Sequence, residues 1–126
     1  MILKKNINKA FYLFLLLHLL IWTLIPSLSN KNLPLDTIEA LAWGSNLDWG
    51  FNKHPPMSAF FSEVFFNIFG SQDWAYYLLS QAFVVIAFYY VFKFAQEILG
   101  NIKLSLISVL LLEAIYFYNF TTPEFN

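Results

Sequence analysis

Residues 74–92 read WAYYLLSQAFVVIAFYYVF and contain no charged side chain. A helix needs about 20 mostly apolar residues to cross the roughly 30 Å of hydrocarbon in a bilayer. This run has that length, and it is the clearest indication in the chain that lipid rather than water is the solvent. We therefore predict a membrane-spanning helix over about residues 74–95.

Two further apolar runs lie on either side of this one. The first covers about residues 10–28 and has His18 near its middle, and the other covers about residues 103–120 and contains one acid, Glu113. Both reach spanning length once their flanking residues are counted. The prediction is an all-α membrane protein with about three transmembrane helices, joined by an outer loop over about residues 29–73.

The composition of the chain agrees with a membrane location. Of 126 residues, 59% are hydrophobic and only 12% are charged, whereas about 25% is usual in soluble domains. The net charge of −1 and the scattered lysines exclude a nucleic-acid footprint. There is no cysteine, which excludes disulfides and thiolate metal sites. No metal-ligand pattern or cofactor motif is visible, so we expect neither a metal nor a cofactor.

The lysines predict the orientation of the chain. Lys4, Lys5 and Lys9 precede the first run, and Lys93 and Lys103 lie on either side of the short turn predicted at 96–101. The positive-inside rule then places the N-terminus in the cytoplasm of a multi-pass protein of the cell (inner) membrane. The loop at 27–73 and the C-terminal end lie outside. A cleavable signal peptide with a site at Ser27–Ser29 is an open alternative for the first run, and it leaves the same side outside.

The outer loop contains two predicted helices. The first runs from Leu35 to Trp43 and ends at Gly44. The second opens at Pro55-Pro56 and stops before Gly70, and it is too short to cross the bilayer. Its wide apolar face includes Met57 and Ile68, and a narrow polar stripe includes Ser62 and Glu63. This pattern is typical of an amphipathic helix that lies in the membrane interface.

Asp36 and Glu39 are the first candidates for chemistry. At i and i+3 they share one face of a helix, where paired carboxylates are able to deprotonate an acceptor or hold a cation. A capping box that only satisfies the helix start is the open alternative.

Lys53 and His54 form the second candidate pair, directly before Pro55-Pro56. An ammonium group beside a helix N-terminus suits an anionic phosphate. A lysine that merely extends to the headgroup region, and a solvated histidine, are the alternatives. Within the spans, we expect His18 to be a packing residue and Glu113 to face the bundle interior or a wet cavity.

The order and spacing of several segments resemble the first outer loop of glycosyltransferase family 39, the protein mannosyltransferases and aminoarabinose transferases. These segments are Leu35–Ala40, Trp43-Gly44, Trp49–Met57 and Ile68–Gly70, and Pro123–Asn126 is similar to the start of the second outer loop of that family. The resemblance implies a GT-C fold and the transfer of a sugar from a polyprenyl-phosphate donor to a protein, lipid A or glycan acceptor.

The same resemblance implies roles for the candidate residues. Asp36, with Glu39 beside it, matches the catalytic base, and Lys53, with His54, matches the contact to the lipid phosphate. The family often has its two acids adjacent, so which of the two is the base stays open. These reactions serve protein glycosylation or lipopolysaccharide modification, at the outer membrane surface and among membrane lipids.

The length of the chain limits the function expected of it. Members of this family are several times longer, so we expect an N-terminal portion that is completed by further C-terminal spans or a partner subunit. These 126 residues alone are then expected to be inactive. The alternatives from other classes are a non-catalytic small membrane subunit or scaffold that binds a partner membrane protein, and a carrier of lipid phosphate.

Overall fold

The computed structural model describes residues 2–46, 48–51 and 55–125. Its helices are α1 (Ile2–Ser29), α2 (Leu35–Gly44), α3 (Pro56–Phe69), α4 (Asp73–Leu99) and α5 (Ile102–Glu113), and a 3₁₀ turn follows at Tyr116–Tyr118. No strand occurs in the described part of the chain. The all-α prediction is therefore confirmed for these residues.

Helices α1 and α4 form an antiparallel pair that contains most of the core. The ring of Phe11, near the start of α1, stacks on Phe92, near the end of α4, with the centroids 3.8 Å apart. Further along α1, Phe14 and His18 both contact the ring of Phe88. As residue numbers rise along α1, the numbers of the contacting residues in α4 fall. The start of α1 therefore lies beside the end of α4.

Within the described residues, two helices are long and apolar enough to cross a membrane, α1 from Lys4 onward and α4. A core helix of a soluble protein passes the same test, but such a helix hides its large apolar side chains. In α1, Leu13, Leu16 and Leu24 are each at least half exposed. A contiguous row of exposed leucines is unusual on a soluble monomer, and contact with lipid explains it.

The third predicted span is not one helix. Helix α5 ends at Glu113, and its 12 residues cover about 18 Å, which is less than the hydrocarbon thickness. The side-chain amide of Asn119 donates to the carbonyl of Glu113 at 2.7 Å, and so satisfies a group that the helix end leaves unpaired. The chain then turns back along α4, where Tyr118 packs on Phe88. The predicted count of three spanning helices is not confirmed.

The turn between α4 and α5 is shorter than the predicted 96–101. Helix α4 continues to Leu99, and the N–H of Gly100 donates to the carbonyl of Gln96. Gly100 has a φ of +59°, a left-handed conformation that commonly closes helices. The next residue, Asn101, already caps α5 by accepting from the N–H of Lys103. Two residues therefore suffice to reverse the chain.

The two outer-loop helices form where the sequence predicts them. Helix α3 has the predicted bounds, and α2 extends one residue further, to Gly44. The helices cross closely at this glycine, because a Cβ added there would lie 2.8 Å from the carbonyl oxygen of Ala59 and 3.0 Å from Cβ of Glu63. The absence of a side chain at Gly44 is what permits the approach.

The predicted polar stripe of α3 is in part its packing surface. Ala59 and Ser62 are buried, whereas Met57, Val64 and Ile68 are more than half exposed. Small side chains let two helix backbones approach each other, which is the usual way that helices pack in membranes. Part of the predicted apolar face is thus exposed, whereas Phe61 packs on Phe83 of α4. The interfacial position of α3 stays a prediction.

Candidate functional site

The two candidate acids lie at the beginning of α2. Asp36 is in the first turn and Glu39 follows on the same side, and both are half-buried. The capping-box alternative requires Asp36 to be the N-cap residue. It is wrong, because the N-cap is Pro34 and α2 already begins at Leu35. A strict capping box is therefore not formed, although Asp36 is still an acid in the first turn of α2.

The C-terminal segment returns to the same helix start. One carboxylate oxygen of Glu124, Oε1, accepts a hydrogen bond from the backbone N–H of Asp36 at 3.1 Å. The hydroxyl of Thr37 accepts from the N–H of Phe125 at 3.0 Å and lies 3.2 Å from its carbonyl oxygen, to which it donates. Thr37 and Phe125 are both buried. A second carboxylate, Glu124, is thus fixed beside Asp36.

Glu124 is a candidate site residue that the sequence reasoning did not single out. The only signal was the likeness of Pro123–Asn126 to the start of a second outer loop, and spacing gave no sign of where that segment would lie. Its position depends on a return of the chain over 88 residues to α2, which no local pattern specifies.

Lys53 and His54 lie outside the described residues, so their predicted contact with a lipid phosphate stays a prediction. The flanking residues are described. On one side, Phe51 stacks on Trp43 of α2 with the ring centroids 5.3 Å apart. On the other side, Pro55 is the N-cap of α3.

Two cavities share Thr121 and Glu124 in their walls. The first has a volume of about 390 Å³ and lies between α3, α4 and the C-terminal segment; its apolar wall comprises Met57, Phe61, Phe83, Val84 and Phe117. The second, of about 450 Å³, lies beside the end of α1; it has aromatic walls from Trp22, Tyr116 and Phe120 and polar groups from Ser29 and Asn30. Both volumes are in the usual range for small-molecule sites, roughly 300–1,000 Å³.

The polar residues of the spans meet inside the helix bundle. Nδ1 of His18 lies 2.7 Å from Oε2 of Glu113, and the indole of Trp22 donates to Oε1 of Glu113 at 3.3 Å. The two atoms are close, but neither makes a hydrogen bond within the described residues. Glu113 therefore faces the bundle interior, as predicted, and its partner is in α1.

Comparison with known protein families identifies the family of this chain. A sequence model of the family described as dolichyl-phosphate-mannose-protein mannosyltransferase matches residues 53–126. The matched region begins at Lys53 and includes Glu124, whereas Asp36 and Glu39 precede it. No curated protein and no solved structure matches the chain.

Proposed function

The chain belongs to the dolichyl-phosphate-mannose-protein mannosyltransferase family, and from that premise we propose that it serves the transfer of a sugar from a polyprenyl-phosphate donor to a hydroxyl group at the outer membrane surface. The observation that carries the proposal is the meeting of Asp36 and Glu124 at the start of α2, with a cavity on either side of Glu124. A carboxylate between two cavities suits a reaction that brings two substrates together.

The placement of the lysines supports an outward-facing site. Contacts between α1 and α4 bring the lysines at the start of α1 to the same end of the pair as Lys93. Asp36 follows the opposite end of α1, where the side chain of Asn30 bonds to Tyr77 near the start of α4. With the lysine-rich end on the cytoplasmic side of the cell (inner) membrane, the carboxylates lie outside.

The proposed chemistry needs a base and a stabilised leaving group. A hydroxyl group is a poor nucleophile until a base takes its proton, and we assign that role to the carboxylate of Asp36, with Glu39 as the neighbouring acid. The acceptor oxygen then bonds to the anomeric carbon, and the bond from that carbon to the phosphate oxygen breaks. Polyprenyl phosphate leaves with the electron pair, and a fixed cation such as Lys53 stabilises the charge that develops on it.

The two cavities suggest where the substrates bind. The apolar cavity beside Phe61 and Phe83 suits the first isoprene units of the donor. The aromatic cavity beside Trp22 and Phe120 also offers polar groups, and it suits the acceptor. Glu124, which lines both, would then lie near the reacting atoms.

The test replaces each carboxylate in the intact protein in membranes and measures sugar transfer from a lipid-linked donor. Asp36→Asn should lower kcat by about 100-fold or more, because loss of a general base typically costs that much. Glu124→Gln should lower it as well. Asp48→Asn, an exposed acid of the same outer loop, is the matched control. Undiminished turnover by Asp36→Asn would remove Asp36 from the base role. Absence of any transfer by the wild-type protein would instead favour the alternative of a non-catalytic subunit.

A further inference from the structure

We propose that His18, Gln81 and Thr122 are positioning residues that hold the segment carrying Glu124 against α2. They form a continuous set of polar contacts from the interior of the α1–α4 pair to the candidate site. The inference rests on the proposed function, because it assigns these three residues to the same reaction.

The inner end of this set lies between the two long helices. Nε2 of His18 and Oε1 of Gln81 are 3.0 Å apart, and Gln81 is fully buried. The other ring nitrogen of His18 faces Glu113 at 2.7 Å. Polar side chains within a span are costly and tend to mark function. The contact joins α1, α4 and the end of α5.

The outer end lies on the C-terminal segment. The side-chain amide of Gln81 donates to the hydroxyl of Thr122 at 3.3 Å, and that hydroxyl is 3.1 Å from the carbonyl oxygen of Tyr118, to which it donates. The hydroxyl of Ser80 donates to the backbone carbonyl of Thr122. Helix α4 therefore holds Thr122 through both its side chain and its main chain.

Two residues further on, the segment reaches α2. Glu124 accepts from the N–H of Asp36, and Phe125 pairs with the hydroxyl of Thr37. A shift of Thr122 would thus be transmitted to the carboxylate of Glu124 through a short stretch of chain that is fixed at both ends.

Packing alone does not call for polar side chains at these positions. Apolar side chains of similar size fill such a space without the cost of removing polar groups from water, and replacements of this kind are often neutral for stability. Hydrogen bonds differ from apolar contacts in being directional, so they fix one position of the segment. A displacement of about 1 Å in a catalytic arrangement can cost about 100-fold in rate.

The test compares Thr122→Val, which keeps the shape and loses the hydroxyl, with Thr122→Ser, which keeps the hydroxyl. In the intact protein, Thr122→Val and Gln81→Leu should lower kcat by about 10- to 100-fold. Thr122→Ser should stay near the wild-type value. Ser108→Ala removes a hydroxyl from an exposed position of α5 and is the matched control. Equal kcat in the valine and serine variants would overturn the proposal.

Amide hydrogen exchange over residues 119–125 gives a second measure that needs no activity. The N–H of Phe125 is bonded to Thr37, so Thr122→Val should exchange faster there than Thr122→Ser. Equal exchange in the two variants overturns the positioning role whatever the activity. Absence of transfer by the wild-type protein overturns the proposed function instead, and the exchange comparison then decides alone whether these residues hold the segment.

Discussion

Asp36 and Glu124 both lie at the start of α2, but they come from different parts of the chain. Asp36 belongs to the first turn, and Glu124 arrives from the far end of the described chain to accept the N–H of Asp36. The positive end of a helix dipole stabilises negative charge within that turn. One oxygen of Glu124, Oε1, accepts this structural hydrogen bond. We assign the base role to Asp36 because its position matches the first-loop acid of the family that the sequence resembles, and we assign Glu124 a neighbouring role.

Lys53 is predicted to bind the phosphate of the donor. In the intact protein, Lys53→Ala should raise the donor KM and lower kcat. The reason is that the Lys53 ammonium group is expected to stabilise the bound donor phosphate, and to stabilise it more strongly as the phosphate leaves. Lys53→Arg should recover part of the loss, since it keeps the charge. The measurement is sugar transfer at varied donor concentration.

Lys31→Ala is the matched control for this prediction, because Lys31 is an exposed lysine of the same outer loop. Equal donor KM values for Lys53→Ala and Lys31→Ala would contradict a phosphate contact at Lys53.

Single residues could be proposed from the sequence where their chemistry is conspicuous in an apolar chain. Asp36 and Glu39 are identified by charge and spacing, and Glu113 by its place in an apolar run. Glu124 and Gln81 were not, because their roles arise from contacts with residues more than 40 positions away. Long-range contacts of this kind leave no local pattern in the sequence.

At the scale of elements, the helices whose ends are set by local chemistry were predicted well. Pro55-Pro56 and Gly70 bound α3, and Gly44 ends α2, because proline suits a first helical turn and glycine suits a helix end. The end of α5 was not predictable. The run continues apolar beyond Glu113, and the helix stops where Asn119 caps it and Glu113 meets His18. Those contacts exist only in the folded chain.

The crossing of α2 and α3 gives a prediction at this scale. Gly44→Ala would place a methyl group 2.8 Å from the carbonyl oxygen of Ala59, so the helices must move apart. Overpacking of this kind typically costs about 1–3 kcal/mol, which should lower the midpoint of thermal unfolding in detergent. Because α2 carries Asp36, sugar transfer should fall as well.

Gly50→Ala is the matched control, since a Cβ at Gly50 would meet nothing within 4 Å. Equal unfolding midpoints for the two variants would show that α2 and α3 do not pack this closely.

In the whole molecule, the lysine-rich end of the α1–α4 pair lies opposite the end with the candidate carboxylates. One end has the lysines that begin α1, together with Lys93 and the α4–α5 turn, and the other has α2, α3 and the C-terminal segment. The sequence predicted this separation from lysine positions alone, and the antiparallel contacts of α1 and α4 are consistent with it. What the sequence could not predict is that the last described segment folds back over α4 to meet α2.

The orientation of the α1–α4 pair in the membrane can be tested by labelling introduced cysteines, because the chain has no cysteine of its own. Two exposed positions, Asn46 and Ser71, lie at the end of the α1–α4 pair that has the carboxylates, and they are replaced as Asn46→Cys and Ser71→Cys. Two others, at the lysine-rich end, are replaced as Asn6→Cys and Glu97→Cys. We expect a membrane-impermeant maleimide to label the first two in intact cells and the other two only after permeabilisation. The reason is that lysines near the ends of spans stay on the cytoplasmic side.

Two results of this labelling would contradict the arrangement. Labelling of Glu97→Cys in intact cells would place the lysine-rich end outside, and with it the candidate carboxylates on the cytoplasmic side. A mature protein that lacks α1 when its mass is measured would identify residues 1–29 as a cleaved signal peptide. The polar contact between His18 and Gln81 would then be lost, so a cleaved α1 would also remove the inner end of the proposed positioning set. We expect α1 to be retained, because its interior face buries Phe11 and His18 against α4.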